Sequence, residues 1–404
     1  MKYKLELTLF GSLITLAAIL GSWQGQYIAA LNFNPDKNNS LLLIGATFIW
    51  VALAIVSKRD LKFNFPYKAI FFLLALDLFV ICFFRDDIVK SLRNFFSIIL
   101  TYGIIFFLSS LIQSIKFKRS IFIVNLVILL VIIASAYVHQ TKVGPLMFFV
   151  HDDPLLRMGG LFNYGQIGLL AGFNIILSLL SLSWDKPRLT EYFYHIAQMA
   201  AMVVVIALTD TRSALISAVI AASAIVYLQI KKSNRHLPVV LSIGAVIFLS
   251  YFAYSTYVAK TTGELTLKES FEHRVGIWQI SLDGIKQNPL AGFGSVSYLA
   301  QSMEAASFNA GLSDPHSAIL GLALQSGIPA VLLFLILYAK ISARALRGNF
   351  IAIAAIIIYW LIGPFFWGDT YLQTIGFIQI IFGVSFIGIL LHSDLYEKEK
   401  IEPT

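Results

Sequence analysis

The sequence is poor in charge and in cysteine. Only 13% of its 404 residues are charged, whereas 58% are hydrophobic; soluble domains carry about a quarter charged residues. The one cysteine, Cys82, lies inside an apolar run, which excludes an intrachain disulfide and a cysteine-based metal cluster. Apolar runs of about 17 to 25 residues recur along the chain, which is the length that a helix needs to cross hydrocarbon. We therefore predict an all-α integral membrane protein.

Several signatures of catalysis and binding are lacking as well. The seven histidines show no H-x-x-H or H-E-x-x-H spacing, so no metal site is expected. There is no Walker motif, which argues against nucleotide-driven pumping. The basic residues are not clustered with aromatic ones, so nucleic acid is not expected as a partner. We also expect no cofactor.

Twelve membrane spans are predicted from the apolar runs. The seventh and eighth are nearly fused, because only a few polar residues around Arg212 separate them, and Gly327 and Pro329 interrupt the tenth. The spans cover 6–30, 41–57, 67–84, 94–114, 121–139, 163–183, 193–209, 213–230, 238–258, 316–339, 349–367 and 373–391.

The basic residues set the orientation of the spans. If the N-terminus lies in the cytoplasm, 19 of the 30 lysines and arginines fall on the cytoplasmic side and 11 on the opposite side. This bias agrees with the positive-inside rule. We expect both termini in the cytoplasm, and we interpret the N-terminal apolar stretch as a first span and not as a cleaved signal peptide.

The longest outer connection lies between spans nine and ten. It divides the chain into three parts. Residues 1–258 contain spans one to nine, residues 259–315 form a periplasmic loop subdomain, and residues 316–404 contain the last three spans and a cytoplasmic tail. An amphipathic helix is predicted from about Glu269 to Gln287, which Asn288-Pro289 ends and the glycine-rich turn PLAGFGS follows. Its apolar stripe consists of Phe271, Val275, Trp278, Leu282 and Ile285.

Arg212 lies in the stretch IALTDTRSALIS, in the short outer turn between spans seven and eight. An arginine at the end of a span is often an interfacial anchor. Here the turn is too short to let the residue wander, and the residue lies on the side of the membrane that arginines avoid. A guanidinium offers a fork of donors that suits phosphate oxygens, so Arg212 is also a candidate anion ligand.

Two further candidates lie in and after the large loop. Arg274 falls at the edge of the apolar stripe, where its head can point toward the membrane or into a cleft; a surface ion pair with Glu269 or Glu272 is the alternative. His316 is predicted in the first turn of span ten, after a cap at Ser313 or Asp314. The helix dipole there favours a neutral imidazole, which suits a general base; a polar residue that merely ends the span is the alternative.

Together these residues suggest a reaction at the outer surface. Two fixed cations can hold a diphosphate, and a histidine can take a proton from an attacking hydroxyl. Transfer from a lipid-linked diphosphate sugar would use such a site. Arg157 and Asn163, in HDDPLLRMGGLFNYGQIG, are expected to line the same cleft. A transporter of lipid-linked glycans also fits twelve spans, but the two halves of this chain do not resemble each other, as they often do in transporters.

The order of these motifs resembles the bacterial O-antigen ligases, which share a superfamily with the O-antigen polymerases. The family pattern begins with an arginine in a short outer turn, here LTDTRSAL. It continues in a periplasmic loop, here RVGIWQISLDGIKQNPLAGFG, and closes with a histidine and a glycine hinge, here HSAILGLALQSGIPA. Relatives usually have asparagine after the histidine, where this chain has Ser317.

The resemblance implies a metal-independent, inverting glycosyltransferase of the inner membrane, with its active site facing the periplasm. Its donor would be a glycan on undecaprenyl diphosphate, and its acceptor the lipid A–core oligosaccharide. Arg212 and Arg274 would hold the diphosphate, and His316 would activate or orient the acceptor hydroxyl. Trp278, in the same loop motif, would contribute to substrate binding.

Two relatives share this donor and differ in the acceptor. An O-antigen polymerase joins repeat units that are both linked to undecaprenyl diphosphate. A ligase-type oligosaccharyltransferase glycosylates protein and normally has a longer C-terminal region. The compact outer loop and the sequence DPH before span ten favour the ligase.

Overall fold

The structure of the protein is a computed structural model. It describes residues 2–24, 117–141, 164–184, 189–209, 211–230, 267–293 and 317–347. It also describes residues 104–105, 107–109, 111–112, 115, 162, 356, 359–360, 381 and 383–385. Within these residues all regular secondary structure is helical. The described helices are α1 (Lys2–Gln24), α2 (Phe117–Thr141), α3 (Tyr164–Trp184), α4 (Leu189–Leu208), α5 (Arg212–Ile230), α6 (Leu267–Gln287) and α7 (Ala318–Arg347).

Six predicted spans overlap described helices. Spans one, five, six, seven and eight correspond to α1 through α5, and span ten lies in α7. Among the described residues, three segments are helices long and apolar enough to cross a membrane: Lys118–Tyr137, Tyr164–Leu182 and Leu189–Leu208. Spans 41–57, 67–84 and 238–258 lie outside the described residues, and spans 94–114, 349–367 and 373–391 are described only at scattered positions. The count of twelve spans stays a prediction.

Helix α3 is the centre of the bundle. It contacts α2, α4 and α5, and α2 in turn packs against α1. A helix that is apolar all round is expected to be buried, and Leu170, Phe173, Ile176 and Leu177 of α3 are fully buried. The Tyr359 hydroxyl donates a hydrogen bond to the Leu169 carbonyl. This bond ties a residue far along the chain to α3.

A buried polar cluster joins α2, α3 and α4. The Asn125 amide lies 3.2 Å from Ser178 Oγ and 3.4 Å from Gln198 Oε1, and can donate to both. The Asn174 amide donates to the Asn125 carbonyl at 3.0 Å. All four residues are buried. In a lipid environment such bonds between helices stabilise association, since helix packing there has no hydrophobic driving force.

Helices α6 and α7 pack on each other. Their contact is a small apolar cluster built around Ile277 and Ile285 of α6 and Ala323 and Leu324 of α7. Phe334, in the second half of α7, packs against the main core of the bundle. Through α7, therefore, the α6–α7 pair is attached to the helices that surround α3.

Candidate active site

The turn between α4 and α5 fixes the backbone at Arg212. Thr209 and Thr211 are buried, and their hydroxyl oxygens lie 3.0 Å apart at hydrogen-bond distance. The Thr209 hydroxyl lies within 3.0 Å of the Ile206 carbonyl, to which it can donate. The Thr211 carbonyl accepts from Ala214 N–H at 3.1 Å and therefore begins the hydrogen bonding of α5. Arg212 is the first residue of that helix.

Helix α3 holds this turn from one side. A Cβ added at Gly168 would overlap the side chains of Thr209 and Thr211. The Thr211 hydroxyl also lies 3.4 Å from the Tyr164 carbonyl, at the start of α3. A side chain larger than hydrogen at residue 168 would push the turn away. The position of Arg212 therefore depends on a glycine in another helix, 44 residues earlier in the chain.

Small residues bring α5 close to the same helix. A Cβ at Gly172 would meet the Ala214 carbonyl at 3.1 Å, and Ala214, Ala218 and Ala221 of α5 are buried. Small residues let the backbones of membrane helices approach closely. The start of α5 is thus held against α3. Its N-terminal end, where Arg212 lies, is the end whose N–H groups and dipole favour an anion.

Helix α6, which carries Arg274 and Trp278, runs from Leu267 to Gln287, so the predicted helix is confirmed. Its buried face overlaps the predicted stripe only in part. Ile285 of the stripe is buried, together with Ile277 and Ser281 outside it, whereas Leu282 of the stripe is 46% exposed. The physical reason is close packing: α7 lies on the face that contains Ser281 and Gly284, which is also buried. The Ser281 hydroxyl donates to the Ile277 carbonyl at 2.8 Å, so it can be buried without losing a hydrogen bond.

The change of face also changes the surroundings of Arg274. At 100° per residue, Arg274 lies about 20° from Ser281 on the helical wheel and thus near the face that packs on α7. The residue is partly buried, as is Trp278. The sequence predicts Arg274 at the edge of the apolar stripe, and in the structure that edge adjoins the buried face.

The stretch from Asn288 to Phe293, which we call the NPLAGF turn, follows α6 directly. The Gly292 N–H donates to the Asn288 carbonyl at 3.0 Å, and the Asn288 amide donates to the Gly292 carbonyl at 2.6 Å. Gly292 has a φ of 65°, in the left-handed region that glycine adopts without strain. The two bonds close the turn on itself. The predicted end of the helix at Asn288-Pro289 is confirmed.

Helix α7 is broken where the turn docks. Gly327 has φ 79° and ψ 175°, a conformation essentially restricted to glycine. Pro329 lies in the first turn after the break, where the missing N–H has least effect. A Cβ at Gly327 would overlap the backbone of Leu290 in the NPLAGF turn. The interruption predicted in span ten is therefore real, and the turn occupies it.

The start of α7 corrects one expectation. We expected the helix to begin at a cap at Ser313 or Asp314, with His316 in its first turn. The helix instead begins at Ala318, and Ser317 caps it. The Leu320 N–H lies 3.5 Å from Ser317 Oγ, and the Gly321 N–H donates to the Ser317 carbonyl at 2.8 Å. His316 immediately precedes the cap in sequence and lies outside the described residues, as do Arg157 and Asn163.

The structure describes three of the predicted site residues, Arg212, Arg274 and Trp278. Arg212 is placed by its backbone at the start of α5, and Arg274 and Trp278 lie on α6 near its contact with α7. Within the described residues no group of three or more histidine, cysteine, aspartate or glutamate residues could hold a metal ion. Gly168, Thr209 and Thr211, whose contacts fix the Arg212 turn, are not predicted from the sequence. A glycine facing a short polar turn gives no signal until the two helices are known to be neighbours.

The comparison with known families bears on these elements together. Residues 197–335 match the family model described as O-antigen ligase (Wzy_C). The match begins inside α4 and ends inside α7, so it contains the Arg212 turn, α6, the NPLAGF turn and Ser317. No curated protein matches the sequence significantly. The match over residues 197–335 supports the O-antigen ligase family, in the superfamily of glycosyltransferase-like membrane enzymes that also contains the O-antigen polymerases.

Proposed function

We propose that the protein is an O-antigen ligase. It would transfer a glycan from undecaprenyl diphosphate to the lipid A–core oligosaccharide at the periplasmic face of the inner membrane. One observation carries the proposal: the family match covers the three segments with Arg212, Arg274 and the residue after His316. Residues 197–335 also contain the local contacts that hold these segments in place. These contacts are the Arg212 turn, the α6–α7 cluster and the Ser317 cap.

Arg212 and Arg274 would bind the diphosphate of the donor. A guanidinium can donate two parallel hydrogen bonds to phosphate oxygens. Arg212 lies at the N-terminus of α5, where the helix dipole adds to the attraction for an anion. Arg274 is partly buried, and lower exposure to water strengthens a charge interaction. Trp278, one turn later on α6, would contribute an apolar surface beside the donor, and Arg157 and Asn163 would line the same cleft.

His316 would act on the acceptor. In an inverting transfer the acceptor hydroxyl attacks the anomeric carbon, a new glycosidic bond forms, and the bond from that carbon to the diphosphate breaks. The hydroxyl proton must leave during this step, and a neutral imidazole can receive it or can orient the hydroxyl. The departing undecaprenyl diphosphate carries the negative charge that the two arginines stabilise. The reaction so written needs neither a metal nor a nucleotide.

Complementation tests this proposal directly. Wild type, Arg212→Ala, Arg274→Ala and His316→Ala are expressed in a ligase-deficient smooth strain, and lipopolysaccharide is separated on a gel. We expect wild type to restore an O-antigen ladder on lipid A–core and each variant to lose it at normal membrane levels. Extension of single-repeat lipopolysaccharide in a polymerase-deficient strain, without ligation, would identify a polymerase instead. A ladder of wild-type intensity from the three variants would refute the assigned site.

A further inference from the structure

We infer that the NPLAGF turn and the break in α7 form an interlock that positions Arg274 relative to the start of α7. Asn288 and Gly327 are then positioning residues. This inference rests on the proposed function, because it concerns the placement of the groups that would hold the donor and the acceptor. Backbone hydrogen bonds, steric contacts and packing among described residues support it.

The hydrogen bonds show that the turn replaces part of the helix ladder. In a continuous α-helix the Ile328 N–H would donate to the Leu324 carbonyl, four residues earlier. In α7 the Ile328 N–H donates instead to the Pro289 carbonyl at 2.8 Å, and the Leu324 carbonyl accepts from the Phe293 N–H at 2.6 Å. One bond within the helix is thus exchanged for two bonds to the turn. The two backbone groups that the break would otherwise leave unpaired, the Ile328 N–H and the Leu324 carbonyl, are both satisfied.

The steric contacts show that the fit depends on glycine. Gly327 combines a positive φ with no room for a Cβ, because the backbone of Leu290 and Ala291 lies directly against it. Alanine at residue 327 would have to change the backbone conformation or displace the turn. Either change breaks the two exchanged hydrogen bonds. Gly11 of α1 is a matched contrast, since a Cβ there meets nothing within 4 Å.

Asn288 gives the turn the shape that fits the break. Its carbonyl accepts the Gly292 N–H, and its side-chain amide donates to the Gly292 carbonyl at 2.6 Å. The two bonds hold Pro289 and Phe293, which make the contacts with α7, at a fixed separation. Aspartate at residue 288 would put a carboxylate oxygen against the Gly292 carbonyl and would open the turn.

The packing connects the interlock to the site. Ile277, one turn after Arg274, belongs to the same cluster as Leu324. Leu320, whose N–H is near the Ser317 cap, packs against that cluster, and so does Phe293 of the turn. The interlock therefore stabilises this cluster, against which both the helical turn of α6 with Arg274 and the first turn of α7 pack. If the turn leaves the break, these two segments lose their common support.

Kinetics of Gly327→Ala test the positioning role. The full-length protein in lipid nanodiscs is assayed with an undecaprenyl-diphosphate-linked glycan and lipid A–core. We expect kcat to fall by about 10- to 100-fold, because small displacements of reacting groups cost that much. The KM for the donor should rise as well, because Arg274 would contact the diphosphate, but by less than kcat falls, because Arg212 is held by a different helix. Gly11→Ala should leave both values unchanged. Asn288→Asp should lower kcat in the same way as Gly327→Ala, because it removes the amide that donates to the Gly292 carbonyl and closes the turn.

Distances between spin labels test the interlock without the reaction. Labels are placed on exposed positions of α6 and α7, as Gln279→Cys and Leu332→Cys, in a Cys82→Ser background. We expect a narrow distance distribution that broadens in Gly327→Ala and in Asn288→Asp and does not change in Gly11→Ala.

The two readouts separate the possible failures. An unchanged distribution in Gly327→Ala would overturn the interlock, whatever the protein catalyses. A broadened distribution with wild-type kcat would overturn the positioning role and leave the interlock as a structural feature only. Absence of any transfer by the wild-type protein would overturn the proposed function and with it the positioning role, while the distances would still decide the interlock.

Discussion

Ser317 shows how a departure from the family pattern can preserve its physical role. The relatives that this chain resembles usually have asparagine at the corresponding position. In the structure Ser317 caps α7, with its hydroxyl oxygen facing the Leu320 N–H and its carbonyl accepting from Gly321. Asparagine and serine are among the best N-cap residues and use a side-chain oxygen in the same way. A serine at this position therefore keeps the helix start.

Exchange of the cap gives a prediction at the residue scale. Ser317→Asn should retain wild-type glycan transfer and thermal stability, because asparagine can accept the same hydrogen bond. Ser317→Ala should lower the free energy of unfolding by about 1 kcal/mol and should reduce transfer. Thermal unfolding in detergent and the lipopolysaccharide gel measure the two effects. Equal behaviour of the alanine and asparagine variants would contradict the assigned cap.

Sequence reasoning found the residues at this scale more readily than their contacts. Arg212 was singled out because a cation in a turn of a few residues is unusual, and the structure puts it at the first position of α5. The reason why the turn is rigid was not visible. It lies in the contact of Thr209 and Thr211 with Gly168 of α3, and that contact depends on which helices are neighbours.

Helix α6 illustrates the same limit at the scale of an element. Its bounds follow from apolar periodicity and from Asn288-Pro289, and they agree with the structure. Its buried face does not follow. Periodicity counts large apolar side chains, whereas the buried face of α6 also includes Ser281 and Gly284, small residues of the kind that permits close approach of helices. The break in α7 could be located from Gly327 and Pro329, but its occupant could not.

Two truncations on α6 test the corrected face. Ile277 is fully buried in the contact with α7, so Ile277→Ala should reduce the free energy of unfolding by about 2 to 4 kcal/mol through the cavity that it leaves. Leu282 belongs to the predicted stripe and is 46% exposed, so Leu282→Ala should cost less than about 1 kcal/mol. Thermal unfolding of both variants in one detergent gives the comparison. A larger loss of stability in Leu282→Ala than in Ile277→Ala would show that the predicted stripe is the packed face.

At the scale of the whole molecule, the proposed site would draw on two groups of helices. Arg212 belongs to the bundle around α3, whereas Arg274 and the residues after His316 belong to the α6–α7 pair. The sequence predicts one outer surface for all three, from the charge bias of the connections. The helices that the structure describes agree with six of the predicted spans. Which of these helices pack against each other could not be predicted, because apolar periodicity does not identify neighbouring helices.

The most direct measurement of the central claim is transfer by the purified protein. The full-length chain in nanodiscs receives an undecaprenyl-diphosphate-linked glycan and lipid A–core, with EDTA present and no nucleotide. We predict glycan on the core, release of undecaprenyl diphosphate, and strongly reduced turnover for Arg212→Lys, which keeps the charge and loses the guanidinium fork. Wild-type turnover by Arg212→Lys would contradict bidentate binding of the diphosphate. A requirement for a divalent metal or a nucleotide would contradict the proposed mechanism itself.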